Sequence, residues 1–335
     1  MIIIVKIVVS LMPVFAFLMA LIYLDSYKLT RLQHVLRTIL LGGIIATICM
    51  ILNRLLLDHL SIPPDSLSRY VAPVVEETAK AVYLIYMIKR SRLGFLVDSA
   101  IHGFAIGAGF AFVENSYYLY YIESSNILLW IFRGFGTAIM HGSTMVIFGV
   151  VSKSMTDRSR GGLIAVFLPG IIMAMLIHSL YNHFIFSPLI STLMLVIFLP
   201  VLTILIFVQS EKATRNWLGV GMDVDIDLLE MINSGRISET PVGTYLESLK
   251  TRFPGPVVAD MLCMLRLHLE LAMRAKGILL MRQTGFEIQP DPEIPAKFDE
   301  LRYLEKSIGK VGKMTISPFL STSSRDLWQI YMLKS

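Results

Sequence analysis

The stretch VVEETAK, residues 74–80, decides how this sequence is interpreted. It places the adjacent glutamates Glu76 and Glu77, together with Lys80, inside an apolar run that covers residues 70–88. A run of roughly 20 apolar residues is long enough to cross a bilayer. A charged side chain near the middle of such a span costs about 2.5–3.5 kcal/mol, so it usually faces the interior of a helical bundle and finds a partner there. The stretch therefore predicts a polar cluster inside a membrane protein.

The composition of the whole chain agrees with this prediction. Of 335 residues, 55% are hydrophobic and 16% are charged, and the mean hydropathy is +0.65. Soluble domains carry more charge, about 25% of their residues. The sequence predicts an all-α, polytopic bundle of about seven transmembrane helices in a lipid bilayer. The apolar stretches that predict the spans are 2–24, 38–57, 70–88, 94–121, 127–151, 162–186 and 188–208.

The basic residues predict the orientation of these spans. They concentrate in alternate loops and after the last span, whereas the other loops hold mainly Asp58, Asp65, Arg69 and Glu123. By the positive-inside rule, the N-terminus lies outside and the C-terminus lies in the cytosol. The basic residues that define this pattern are Lys28, Arg31, Arg37, Lys89, Arg90, Arg92, Lys153, Arg158, Arg160, Lys212 and Arg215.

Residues 1–24 have a second interpretation, as a cleaved signal peptide. Their positive charges follow the apolar run instead of preceding it, and no clear small-residue cleavage site is present. We therefore expect an uncleaved first span.

The composition changes after the last span, which predicts two domains, 1–209 and 210–335. From Ser210 onward the chain has 16 basic and 16 acidic residues, so the net charge of +5 belongs to the membrane part and indicates no nucleic-acid-binding surface. Helix formers fill residues 257–277, with Gly277 as an expected stop, and residues 294–310 carry an apolar stripe that ends near Gly309. We expect a small, mainly helical cytosolic domain.

The ionisable residues away from the span ends are expected at similar depths in the membrane. With the predicted orientation, nearly all of them lie in the outer half of the bundle, and His141 lies somewhat deeper. Lys80 is four residues from Glu76 and three from Glu77, so it reaches either carboxylate on one helix face. These residues are Glu76, Glu77, Lys80, Glu114, His141 and His178.

The spacing also suggests chemical roles. Two adjacent carboxylates in a low-dielectric site suit one of them to accept a proton as a general base. His178 and Asn182 are four residues apart, which suits an imidazole beside an amide aimed at a developing oxyanion. Small residues let helices approach closely, and here they would hold Glu114 against its neighbours. These small residues are Gly103, Gly107 and Gly109.

Several motifs together resemble the PrsW family of membrane-embedded proteases. EETAK matches the family's EExxK, FAFVEN matches its FxxxE, and MHGSTMVIFG and HSLYN supply histidines on two later spans. The resemblance implies hydrolysis of peptide bonds in anti-sigma factors or other single-span membrane proteins by a multi-pass protein of the cell membrane. It also implies a distant relationship to the CAAX prenyl endopeptidases. The candidate site residues are therefore Glu76, Glu77, Lys80, Glu114, His141, His178 and Asn182.

Three mechanisms stay open. In the first, Glu114, His141 and His178, with one of the paired glutamates, bind a catalytic zinc ion and a water molecule. In the second, Glu76 or Glu77 activates water without a metal, and His178 and Asn182 receive the oxyanion. In the third, the protein is a transporter or membrane sensor that uses the same cluster as a proton or ion relay.

Each site residue also has a structural interpretation. The EExxK segment can form a structural ion pair, and Glu114 and His141 can form hydrogen bonds between helices. Residues nearer the interfaces, where polar groups are tolerated, are expected to be structural. They are Asp98, His102 and His183, together with Arg54 and Arg133, whose long side chains reach toward the interface.

The predicted orientation can be tested by cysteine labelling. A cysteine at Ser66 should react with a membrane-impermeant thiol reagent added to intact cells, whereas one at Ser154 should not, because the basic loops stay in the cytosol. Both variants are compared in a background that carries Cys49→Ser and Cys263→Ser. Labelling at residue 154 but not at residue 66 would reverse the orientation.

Overall fold

The structure, a computed structural model, describes residues 2–25, 27, 30–60, 62–123, 126–158, 164–183, 185–286, 289, 291–320, 328, 332 and 333. Lys28 and Arg160, which contribute to the charge pattern, lie outside these residues. The described part of the chain is helical and contains no strand. It forms two compact units, residues 1–210 and residues 211–335.

The first unit is built from long apolar helices with short irregular segments between them. π-helical segments Leu67–Val71 and Phe132–Thr137 lead directly into α4 and α7, and a 3₁₀ turn, Ile164–Phe167, leads into α8. The helices are α1 (Ile2–Leu24), α2 (Leu32–Leu60), α3 (Pro64–Ser66), α4 (Ala72–Lys89), α5 (Leu96–Tyr121), α6 (Ile127–Ile131), α7 (Ala138–Arg158), α8 (Leu168–Asn182) and the first part of α9 (Pro188–Asn233).

Six helical stretches of the described chain are long and apolar enough to cross a membrane. The sequence predicts seven spans, and the one that is not among these six is α4. Its 18 residues include four charged ones, Glu76, Glu77, Lys80 and Lys89. These charges lower the mean hydropathy of α4, although Glu77 and Lys80 are fully buried in the bundle. The six stretches are Ile3–Leu24, Leu32–Leu60, Leu96–Tyr121, Ile127–Arg158, Ile164–Asn182 and Pro188–Asn233.

Helix α5 forms the centre of the first unit. Every residue from Val97 to Ala111 is buried, and α5 packs most extensively against α7 and α2. A Cβ atom on Gly107 would collide with the backbone carbonyl of His141 in α7, and one on Gly109 would collide with the carbonyl of Ile39 in α2. The expectation that the glycines of α5 permit close helix packing is therefore confirmed.

The surrounding helices turn large apolar side chains outward. Leu40 and Ile48 of α2, and Ile197 and Phe198 of α9, are exposed. In water such a surface would promote aggregation, whereas hydrocarbon solvates it. The polar residues of the cluster lie on the inside, so the unit has the distribution expected of a membrane bundle.

The second unit has its own apolar core. It contains the end of α9, then α10 (Pro241–Leu249), α11 (Gly255–Gln283) and α12 (Glu293–Leu320). Helices α11 and α12 pack on each other through residues such as Met261, Leu265, Leu301, Leu304 and Ile308.

The helix ends in this unit correct one expectation. Helix α11 does not stop at Gly277 but continues to Gln283, because Leu279 is fully buried and packing extends the helix through the glycine. Gly309 has φ +69° and interrupts the helical geometry within α12.

The pKa of the Glu270 carboxyl in α11 lies below its ordinary value. Burial acts to raise this pKa, but the hydrogen bonds and charges of Lys297 and Arg266 lower it by more.

The close contact between α5 and α7 predicts a strong effect of one methyl group. Gly107→Ala should destabilise the protein by about 1–3 kcal/mol, because the backbone of α7 must move to admit the Cβ atom. The control is Gly277→Ala in α11, where no atom lies within 4 Å of the new Cβ and a gain of about 0.4–1 kcal/mol is expected. Thermal unfolding in detergent measures both, and equal stability of the two variants would contradict the packing.

Candidate active site

The carboxylate of Glu77 is the deepest point of the polar cluster. Its Oε1 atom accepts a hydrogen bond from Lys80 Nζ at 2.6 Å and contacts His178 Nδ1 at 2.7 Å. The side chains of Glu77 and Lys80 have no exposed surface. Because a carboxylate only accepts, His178 must carry a proton on Nδ1; in the neutral ring, Nε2 then keeps its lone pair. Glu77 thus fixes both a cation and the tautomer of a histidine.

His141 continues the chain of contacts toward Glu114. Its Nδ1 atom lies 3.1 Å from Lys80 Nζ, and its Nε2 atom lies 3.0 Å from Glu114 Oε2. An ammonium group only donates, so Nδ1 accepts and Nε2 donates to Glu114. The rings of His141 and His178 meet edge to face, with centroids 4.9 Å apart. Both ring nitrogens of His141 are therefore engaged.

Arg133 contacts Glu114 and so extends this series of contacts. Its place in the cluster was not predicted from the sequence. Its guanidinium lies 3.6 Å from Glu114 Oε1, donates to Asn115 Oδ1 at 3.0 Å and stacks on the Tyr118 ring at 3.7 Å. Asn115 in turn donates to the backbone carbonyl of Ser10 in α1. The sequence suggested a side chain that reaches to the interface, but the π-helical segment turns it onto α5.

Glu76 differs from the other two carboxylates because it forms no ion pair with a lysine or arginine in the part of the chain that the structure describes. Its Oε1 atom accepts a hydrogen bond from the Asn53 amide at 3.1 Å. Lys80 pairs with Glu77, and Arg133 pairs with Glu114. With neutral histidines, the cluster then has three carboxylates and two cations. The uncompensated charge belongs to Glu76, and sequence spacing alone could not assign it.

Asn182 does not join the cluster, which corrects its expected place beside the reacting carbonyl. Its amide donates to the backbone carbonyl of Ser68 at 2.8 Å, and Ser179 donates to the next carbonyl, Arg69, at 2.6 Å. Both carbonyls belong to the π-helical segment that precedes α4. The C-terminal end of α8 is therefore attached to the segment before α4, and this attachment holds His178 near Glu77.

The remaining polar residues of the spans lie apart from the cluster. Asp98 accepts hydrogen bonds from the backbone N–H groups of Gly94 and Phe95 and so caps α5. His102 contacts the hydroxyl of Thr38 at 2.9 Å. Arg54 forms an ion pair with Asp58 on the exposed face of α2.

The cluster contains a set of ligands that fits a metal ion in type and spacing. One ligand atom each from Glu76, His141 and His178 lie within 4.8 Å of one another. Zinc takes nitrogen and oxygen ligands at about 2.0–2.2 Å, and three protein ligands are typical of a catalytic site. Both ring nitrogens of His141 already have partners, so binding a metal there would require His141 to release Lys80 or Glu114.

The expected set joined Glu114, His141 and His178 with one of the paired glutamates; the set found here contains Glu76 and the two histidines but not Glu114. Glu114 is instead a hydrogen-bond partner of His141, the kind of second group that orients a metal-ligating histidine. The Oε2 atom of Glu77 is also buried without a hydrogen-bond partner among the described residues. A buried acceptor without a donor indicates that the cluster accommodates a water molecule or a cation.

A helical membrane bundle that encloses paired glutamates, a lysine and two histidines contains the residue types that a membrane-embedded hydrolase or an ion relay uses. Similarity to known proteins gives the family. The chain matches the PrsW family of intramembrane metalloproteases over residues 30–207, and it belongs to this family. It is thus an intramembrane protease, a peptide hydrolase.

One curated relative supports the assignment. The chain is 26% identical over 168 residues to Protease PrsW of Clostridioides difficile (strain 630), an alignment that covers 47% of this chain and 69% of the relative. No solved structure matches the chain. The transporter or sensor alternative receives no support from these similarities.

Variants of Arg133 and Arg54 test the contact between Arg133 and Glu114, with the exposed pair of Arg54 and Asp58 as the control. Arg133→Gln should cost about 2 kcal/mol of stability and lower cleavage about 10- to 100-fold, because Glu114 loses its cation and no longer orients His141. Arg54→Gln removes only an exposed pair, worth less than about 1 kcal/mol, and should leave cleavage unchanged. Thermal unfolding and a cleavage assay measure the two effects, and equal behaviour of both variants would contradict the role of Arg133.

Proposed function

We propose that this protease cleaves a membrane-tethered, single-span protein, such as an anti-sigma factor, near the outer face of the membrane, and that Glu76 activates the attacking water. The observation that carries the proposal is the charge balance of the cluster. Glu77 and Glu114 each have a cation, whereas Glu76 has only the neutral amide of Asn53. A carboxylate without a cation is the best proton acceptor of the three.

Glu77 and Lys80 have positioning roles in this mechanism. Lys80 neutralises Glu77 and bridges to His141, so α4 and α7 are linked through one ammonium group. Glu77 also holds His178 through its Nδ1 atom. Removal of either residue leaves the other as an unpaired buried charge, which is costly in a bilayer.

The hydrolysis itself needs one proton acceptor. Glu76 takes a proton from water while the water oxygen bonds to the carbonyl carbon of the scissile peptide. The proton then passes to the amide nitrogen as the C–N bond breaks, which releases a carboxylic acid and an amine. Asn182 has no part in this proposal, because its amide is bonded to Ser68.

The residues that would hold a zinc ion are Glu76, His141 and His178. When bound, zinc supplies a Lewis acid that polarises the peptide carbonyl and lowers the pKa of its water. The metal-free route, which the resemblance to CAAX prenyl endopeptidases implies, uses Glu76 as the base; if Glu76 held zinc, it would be a metal ligand and would not also take the proton from water. In both routes the contacts of Glu77 and Glu114 orient the two histidines.

We further propose that the protein lies in the plasma membrane and that α4 is a seventh span. The N-terminus would then lie outside the cell and the C-terminal unit in the cytosol. Helix α4 and the π-helical segment before it cover residues 67–89, enough to cross the hydrocarbon core. The tertiary partners of Glu77 and Lys80 lower the cost of burying these charges. The C-terminal helices would form a regulatory or adaptor domain that cleavage itself does not require.

The roles of the paired glutamates predict two inactive variants. Glu76→Gln and Glu77→Gln should each lower cleavage of a single-span substrate by at least about 100-fold, because one loses the base and the other loses the group that orients His178. Glu77→Gln should also lower the thermal unfolding temperature, since Lys80 becomes unpaired. Glu123→Gln, in an exposed loop, is the matched control.

Cleavage is measured in proteoliposomes with equal amounts of inserted protein. Activity near half of wild type in both Gln variants would show that the pair is structural, and the proteolytic roles assigned here would be wrong.

A further inference from the structure

We propose that Asn53, on α2 and outside every motif of the sequence, is a further catalytic residue that holds the reacting water together with Glu76. Its side-chain carbonyl would accept one hydrogen of the water molecule, and Glu76 would take the other as a proton. This inference rests on the proposed function, since it assigns a partner to the water that Glu76 activates.

The orientation of the Asn53 amide is fixed by Glu76. The Nδ2 atom donates to Glu76 Oε1 at 3.1 Å, across two helices and 23 residues of sequence. A carboxylate accepts and cannot donate, so the NH₂ group must face Glu76 and the Oδ1 atom must point away from that oxygen. The contact therefore also determines where the carbonyl of Asn53 lies.

The Oδ1 atom of Asn53 is buried and has no hydrogen-bond partner among the described residues. A buried amide carbonyl without a donor costs about 1–3 kcal/mol, so native structures normally supply one. An asparagine that only joined two helices would use its carbonyl as well as its NH₂ group. The unused acceptor beside a catalytic carboxylate indicates a small donor molecule.

A second unused acceptor belongs to the neighbouring glutamate. The Oε2 atom of Glu77 is likewise buried without a partner, although its Oε1 atom has two. The cluster thus has acceptors on both residues that adjoin Glu76, one through a hydrogen bond and one through the chain. A water molecule can satisfy either acceptor, because a buried water molecule typically makes two to four hydrogen bonds.

The amide suits this role because it carries no charge. A lysine or arginine at position 53 would neutralise Glu76 and make it a weaker base. Asparagine orients the carboxylate through one hydrogen bond and leaves the negative charge uncompensated. It would also hold one O–H bond of the water while the other O–H bond breaks toward Glu76 and the oxygen attacks the peptide carbon.

The test compares Asn53→Leu and Asn53→Asp with the control Thr47→Val. Leucine removes both functional groups and keeps the number and branching of the side-chain heavy atoms, and aspartate keeps the shape but loses the donor to Glu76. Thr47 lies on the same helix, and its hydroxyl bonds only to the carbonyl of Gly43 one turn earlier. The full-length proteins are reconstituted in liposomes with a single-span substrate, and kcat, KM and the unfolding temperature are measured.

Both Asn53 variants should lower kcat about 10- to 100-fold and leave KM within about twofold, because Asn53 contacts water and not the substrate. Thr47→Val should match wild type. The aspartate variant keeps the test informative if the leucine variant does not fold.

Three outcomes would overturn the inference. If wild type cleaves and Glu76→Gln does not, while either folded Asn53 variant keeps wild-type kcat, Asn53 is structural and the proposed function stands. A rise in KM at constant kcat would make Asn53 a substrate-binding residue instead. If wild type cleaves no single-span substrate, the proposed function fails, and the role of Asn53 fails with it.

Discussion

The buried ion pair between Glu77 and Lys80 is the interaction on which the rest of the membrane unit depends. Both side chains are fully inside the bundle, so neither charge is exposed to bulk solvent. Their mutual contact compensates the charge locally, and each then uses its remaining capacity on another helix. Glu77 binds His178 of α8, and Lys80 binds His141 of α7. One helical turn of α4 thus organises three helices.

Close backbone packing brings these helices within reach of one another. His141 follows the point where α7 crosses α5, and the missing side chain of Gly107 lets the two backbones meet there. A larger residue would move His141 away from Lys80 and from Glu114 together. The glycines of α5 therefore act on the site through helix position, even though they contribute no functional group.

The two π-helical segments have a related role at the N-terminal ends of α4 and α7. The first exposes the carbonyls of Ser68 and Arg69 to side chains of α8, and the second turns Arg133 onto Glu114 and Asn115. Wide turns of this kind are frequent at functional sites because they change the direction of a helix without breaking it. Here they connect neighbouring helices at the mouth of the cluster.

The sequence by itself determined the all-helical membrane character, the glycine contacts of α5 and the identity of the residues that carry charge inside the spans. These properties follow from hydropathy, residue size and the cost of burying charge, which are local. The tertiary structure decided which helix faces meet. It turned Asn182 toward the backbone of α4, brought Arg133 to Glu114 and Asn53 to Glu76, and so left Glu76 as the carboxylate without a cation. Spacing along one helix fixes the face that a residue occupies, but the rotation and depth of the neighbouring helices depend on packing over the whole bundle.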